Sequence, residues 1–193
     1  MMEGTMKFYH GTDNRNIERF VMFNKSPKKD FGKGVYLTTN IEQAKEWSCK
    51  YSVTGAVYEF DINLENLKQL DLSNVEDLYY VIYLCRINLE DIAKETIDNF
   101  DNADIVSGFM LDGSIGDFEK IAELFNEGEL SYDEFYSKIN MFDKDKNQIC
   151  VKTEQGLAEI NAGIVKKYYT KIEKKSNERK KIIIDGEVNL MNT

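Results

Sequence analysis

One histidine, one proline and one tryptophan serve the whole 193-residue chain, and cysteine occurs three times. A single imidazole excludes any metal centre that needs two. Cys49, Cys85 and Cys150 are odd in number, far apart and free of any Cys-x-x-Cys pairing, which argues against a disulfide framework and a structural zinc site. No apolar run approaches the roughly 18 residues that cross a bilayer. The first residues, Met1-Met2-Glu3-Gly4-Thr5-Met6, lack a basic then apolar leader. The reading is a reduced, cytoplasmic protein, or one exported without a cleavable signal, with no membrane partner.

Positive charge is also scarce, since 25 Lys and Arg face 34 Asp and Glu for a net charge of −9. Proteins whose surface is mainly given to nucleic acid present a basic face, so that class is excluded for the bulk of the chain. Residues 166–181 depart from the rest, with eight Lys or Arg against Glu173 and Glu178. Their local +6 leaves −15 on the remainder of a chain whose total is −9. An acidic body precedes a basic end that reads as a solvated face.

What is present suffices for a core. Hydrophobic residues make up 42% and aromatics 12% of the chain, and at this length about 70% of the unfolded surface can be buried. Strands are predicted at 6–10, 35–38, 56–62, 104–110 and 148–153, the last read as the final core strand. In 56–62, Val57, Glu59 and Asp61 alternate with Tyr58, Phe60 and Ile62. Capping boxes at Thr39-Asn40-Ile41-Glu42 and Ser73-Asn74-Val75-Glu76 open helices, the first carrying Ala44, Trp47 and Ser48. Further helices are expected at 88–100, 115–125, 132–139 and 155–162. Asp112-Gly113 reads as a turn, and 181–188 as a small hairpin turning at Asp185-Gly186. The fold class is α+β, a mixed sheet with inserted helices. One domain spans 1–165 with a helical insertion at about 72–140, followed by a basic extension at 166–193.

Two segments carry the chemistry. In Tyr9-His10-Gly11-Thr12 an imidazole adjoins a residue without a side chain, so one polar ligand can touch ring and main chain together. In Asp30-Phe31-Gly32-Lys33-Gly34-Val35-Tyr36-Leu37-Thr38-Thr39, two glycines allow close backbone approach before a strand that aims Tyr36. Alone, a His-Gly pair, two glycines near a turn or a tryptophan on a helix has an ordinary structural explanation, and Cys150 reads as a small buried hydrophobe. Together the two segments read as walls of one pocket.

Tyr9-His10-Gly11-Thr12, the run from Phe31 through Gly32 and Gly34 to Tyr36, and a strand starting at Gln148 resemble the His-Tyr-Glu branch of the ADP-ribosyltransferases, which holds the diphtheria toxin and poly-ADP-ribose polymerase types. More narrowly, the Asp-Phe-Gly-Lys-Gly-x-Tyr-Leu-Thr-Thr run resembles an uncharacterised bacterial family placed in that superfamily. The similarity spans residues 7 to about 160 and is dense at 7–60. It implies an ADP-ribosyltransferase-like mixed β-sheet core and NAD as co-substrate, with His10 on the adenosine ribose and Gly11 holding the nicotinamide amide through its main chain. Thr12, Phe31, Gly32 and Gly34 complete the NAD-binding set. Tyr36 and, eleven residues on, Trp47 would sandwich the nicotinamide ring, whose positive charge favours aromatic faces.

The branch's third position is a glutamate, and Gln148 stands there in this chain, with Glu154 as the rival if the strand ran that far. Ala44 stands where some relatives place a serine. Glutamine accepts a hydrogen bond from a ribose hydroxyl but offsets no developing positive charge, so single transfer is expected rather than chain elongation. The catalytic set is then His10, Tyr36 and Gln148, with no metal. The resemblance implies transfer of ADP-ribose to a protein or nucleic acid acceptor, in a toxin or effector setting that leaves room for a neutralising partner protein. The alternative is a catalytically weakened module that binds NAD or ADP-ribose and acts through partner association.

Overall fold

The computed structural model describes residues 5–22, 29–72, 94–111, 115–139, 142–173 and 181–190. Among the described residues, two four-stranded sheets and five helices make an α+β fold. In chain order the strands are β1 (Thr5–Thr12), β2 (Val35–Leu37), β3 (Thr54–Asn63), β4 (Gln69–Leu72), β5 (Ile105–Leu111), β6 (Phe142–Val151), β7 (Ile164–Glu173) and β8 (Lys181–Asn189). The helices are α1 (Ile41–Ser48), α2 (Lys94–Asp101), α3 (Ile115–Asn126), α4 (Tyr132–Ile139) and α5 (Glu154–Ala162). The first sheet has the order β1-β3-β7-β8 and the second β2-β6-β5-β4; every pairing is antiparallel except β4 with β5. A lone bridge, Tyr9 to Thr38, joins them, each backbone amide donating to the other's carbonyl at 2.8 and 2.9 Å.

Alternation decides which side chains enter the core. In β3, Tyr58, Phe60 and Ile62 are buried in the main hydrophobic cluster, while Glu59 and Asp61 stand on the opposite face with Val57. Phe8 on β1, Val35 and Leu37 on β2, Ile105 on β5, and Ile149 and Val151 on β6 join that cluster, as do Phe20 and, from α5, Leu157 and Ile160. Each such side chain contributes about 1.5–3 kcal/mol by leaving water. On the outer face Glu59 is buried too, and it is satisfied there: it is ion-paired to Lys7 and accepts from the Tyr168 hydroxyl at 2.6 Å.

Several expectations need correction. The cap of α1 is Asn40, whose side chain accepts from the amides of Glu42 and Gln43; the Thr39 hydroxyl instead accepts from Asn147 at 2.6 Å. Asp185-Gly186 forms no hairpin. Residues 181–189 run as one strand beside β7, and the register passes from Tyr169–Gly186 to Thr170–Ile184, so Asp185 bulges and pairs with Lys171 at 2.5 Å. The strand at 148–153 is not the last of the core, because β7 follows and buries Val165 and Thr170 between β3 and β8. The basic stretch beyond 165 therefore contributes strands rather than a solvated helix face. The helix expected from Ser73, the first half of that expected at 88–100 and the Asp112-Gly113 turn lie outside the described residues.

Candidate functional site

The bridge between Tyr9 and Thr38 sets the site. Its antiparallel register, continued by two residues, would place Gly11 opposite Tyr36, but the strands part there. Backbone groups alternate between the two edges of a strand. Tyr9 faces Thr38, so the N–H and C=O of Gly11 point to the same edge, away from β3, and no described residue hydrogen-bonds them. The carbonyl of Tyr36 faces the same gap from the other side. A buried carbonyl needs a partner, and His10 supplies it, its Nδ1 lying 2.7 Å from that oxygen.

A carbonyl only accepts, so Nδ1 must carry the proton and Nε2 keeps its lone pair in the neutral ring. Burial lowers the His10 pKa, the bond to Tyr36 works against that, and the Lys29 charge lowers it further. The ring also meets Phe20 edge to face, with centroids 5.1 Å apart.

Gly11 is required for a second reason. A Cβ at this position would overlap the Ala44 carbonyl oxygen and stand 2.9 Å from the Ser48 amide. The bare Cα thus lets α1 lie against β1. At the other end of α1, Gln43 donates to the Asn147 carbonyl at 2.9 Å, and the Thr38 hydroxyl lies 2.9 Å from both Gln43 Oε1 and Asn147 Oδ1. Thr38 and Tyr36 share a face of β2, while α1 itself packs mainly on β1 and β3. Trp47 lies one turn beyond Gln43 on the same flank of α1, half-buried.

The glycine-rich run is built into the fold. Gly32 has φ of 70°, a left-handed conformation that favours glycine, and its carbonyl accepts from the Tyr36 hydroxyl at 2.8 Å. That hydroxyl also accepts from the Phe31 amide at 3.0 Å. A Cβ at Gly34 would stand 2.6 Å from the Val151 carbonyl oxygen, so this glycine admits β6. Phe31 is fully buried, its ring nearly parallel to that of Tyr36 with centroids 6.5 Å apart. Burial and the neighbouring Cys150 push the Tyr36 hydroxyl well above the usual phenol range, which keeps it neutral.

Tyr36 pairs with Cys150 across β2 and β6, which places Gln148 two residues along the same face. Gln148 is 4% exposed, and its amide nitrogen donates to Asp30 Oδ2 at 2.6 Å and to the Phe109 carbonyl at 3.2 Å. The Asp30–Phe31 turn therefore closes over it. β6 ends at Val151 and Glu154 opens α5, exposed, after the Thr153 cap. That removes Glu154 from the strand face that Gln148 occupies. Thr12, at the end of β1, accepts from the Asn14 amide at 3.1 Å.

The structure thus joins His10 to Tyr36, sets Gly11 across from Tyr36, and puts Gln148 beside them under Asp30. Phe31, Gly32 and Gly34 act through packing and turn geometry. Sequence reasoning missed Asp30, Gln43 and Asn147. Asp30 opens the glycine-rich run and was visible as an acid before two glycines; the other two owe their roles to partners about a hundred residues away. Among the described residues no group of three His, Cys, Asp or Glu could hold a metal ion, and no helix is long and apolar enough to cross a membrane.

The fold is α+β, and the gap between β1 and β2 brings Gly11, His10 and the Tyr36 carbonyl together. The chain belongs to the family described as a protein of unknown function (DUF3990), which matches residues 6–161. No curated protein and no solved structure matches it.

Proposed function

We propose that the protein is an NAD-dependent mono-ADP-ribosyltransferase, transferring ADP-ribose from NAD to a macromolecular acceptor and releasing nicotinamide. The observation that carries this reading is the parting of β1 and β2 between Gly11 and Tyr36, with His10 locked to the Tyr36 carbonyl. A primary carboxamide offers one donor face and one acceptor face, and the Gly11 N–H and C=O complement both. The neutral His10 Nε2 accepts from a ribose hydroxyl. Tyr36 and Trp47 supply aromatic faces to a cationic ring.

In the reaction the bond between the sugar carbon and the nicotinamide nitrogen breaks, and its electron pair neutralises the ring. The acceptor's nucleophile then bonds to that carbon and gives up a proton. Gln148 has its nitrogen committed to Asp30 and Phe109, which leaves its carbonyl to steady a ribose hydroxyl. It brings no charge of its own, so single transfer is the reading rather than polymer growth.

The second reading, a non-catalytic module for NAD or ADP-ribose, is favoured by the burial of Gln148 beneath Asp30. Nicotinamide release from NAD by the purified protein separates the two. Turnover that disappears in His10→Ala supports the transferase. Measurable NAD binding with no release from the wild type favours the module, and absence of both overturns the NAD reading.

A further inference from the structure

Three described lysines near the sheets meet a carboxylate. Lys7 is paired to Glu59 and Asp61, Lys45 to Glu42 and Lys171 to Asp185. Arg15, Lys29 and Lys167 form no such pair among the described residues. They also lie around His10. Lys29 Nζ stands over the Tyr36 ring at 5.7 Å, on the residue whose carbonyl His10 holds. On the other side His10 pairs across the sheet with Tyr58, and Tyr58 with Lys167. Lys167 Nζ is 6.0 Å from the centroid of the Tyr58 ring and 4.9 Å from that of Tyr169; Arg15 is 4.5 Å from the same Tyr169 centroid. Lys167 also donates to the Arg15 carbonyl at 3.3 Å.

Two cations on one ring lie within about 10 Å of each other, a Debye length or less, and they repel. Surface cation–aromatic contacts are common singly. A ring shared by two cations, neither of them ion-paired among the described residues, in a chain of net charge −9, is a different arrangement. It holds positive charge ready for an anion, and Arg15 adds the planar fork that suits phosphate oxygens.

We propose that Arg15, Lys29 and Lys167 form a phosphate-binding site flanking His10, and that its ligand is the pyrophosphate of a nucleotide. The site stands on its own observations; it rests on the NAD reading only for what the pyrophosphate is joined to. Arg15 and Lys29 lie inside the family match and Lys167 beyond it, on β7.

The lone histidine provides the test, because its ring protons are unambiguous in an NMR spectrum. Titration with inorganic pyrophosphate should move the His10 resonances saturably and raise the pH at which the ring protonates. Arg15→Gln with Lys167→Gln, and separately Lys29→Gln, should weaken pyrophosphate and ADP-ribose binding by about tenfold or more. In the Arg15→Gln, Lys167→Gln variant nicotinamide affinity should stay at the wild-type value, and the thermal midpoint should stay there in both variants. Pyrophosphate that leaves His10 unmoved, or variants that bind ADP-ribose like the wild type, would overturn the proposal. So would a short oligonucleotide that binds at the same residues while ADP-ribose does not. Pyrophosphate binding through these residues without nicotinamide release would sink the transferase reading alone.

Discussion

The Nδ1 atom of His10 lies 2.7 Å from the backbone carbonyl oxygen of Tyr36, and that relationship fixes the tautomer of the chain's one histidine. The side chain replaces a backbone partner that β1 would have supplied had the two strands stayed paired. Sheet geometry and ligand chemistry therefore meet in one hydrogen bond.

Acidification should work against this arrangement. The folded pKa of His10 lies below its ordinary 6.5, so the unfolded chain binds the proton first as pH falls. The contribution to stability is full above 6.5 and is lost as pH drops from there through the folded value. Denaturant unfolding of wild type against His10→Asn, which keeps a donor for the Tyr36 carbonyl but does not titrate, should show this slope in the wild type only. Nicotinamide release should hold through the start of that window and fall only as pH passes through the lower, folded value, where Nε2 ceases to accept.

Gly11→Ala should separate helix from strand. The added methyl overlaps the Ala44 carbonyl and crowds Ser48, both backbone, so neither can rotate away. A cost of about 3 kcal/mol in urea unfolding is expected, at the upper end for overpacking. A loss under about 0.5 kcal/mol would mean that α1 does not lie where the structure puts it.

Gln148→Glu, the substitution that would restore a carboxylate at the third position, should be harmful near neutral pH. It sets two carboxylates in the place of a 2.6 Å amide–carboxylate bond with Asp30. Such a pair shares a proton, so the folded state binds more protons than the unfolded and stability falls as pH rises. A loss of about 3 kcal/mol at pH 7, relieved toward pH 5, is expected. Adding Asp30→Asn should recover most of it.

Glu59→Gln should weaken the first sheet. Burial pushes this carboxyl up, but the Lys7 ammonium and the Tyr168 hydroxyl outweigh that and hold it below the usual range. Its contribution to stability is therefore present above pH 4.5 and is lost as pH falls through the folded value. The variant should lose about 1–3 kcal/mol at pH 7 and show a flatter acid limb in unfolding curves.

The sequence was most legible where local pattern and burial coincide. The alternation of Val57, Glu59 and Asp61 with Tyr58, Phe60 and Ile62 matches the two faces of β3. The helix expected at 132–139 is α4, and Ser131 and Glu134 cap its start reciprocally, their side chains 2.7 Å apart. It misled where a distant strand outbid a local signal. Thr39 had the spacing of a cap but is claimed by Asn147, and Asp185-Gly186 had the composition of a turn but is carried through a bulge beside β7. The site was legible as motifs, with His10, Gly11 and Tyr36 brought together. The engagement of Gln148 by Asp30 was not, because nothing near either residue in the chain announces the other.

The family match ends at 161, and β7 begins at Ile164. The limit drawn by similarity and the limit drawn by hydrogen bonding therefore do not coincide. A protein cut at the former would leave the long third strand with an unpartnered border of amides and carbonyls beside Tyr58 and Phe60, a template for self-association. Anyone expressing only the matched segment should expect inclusion bodies rather than a soluble domain.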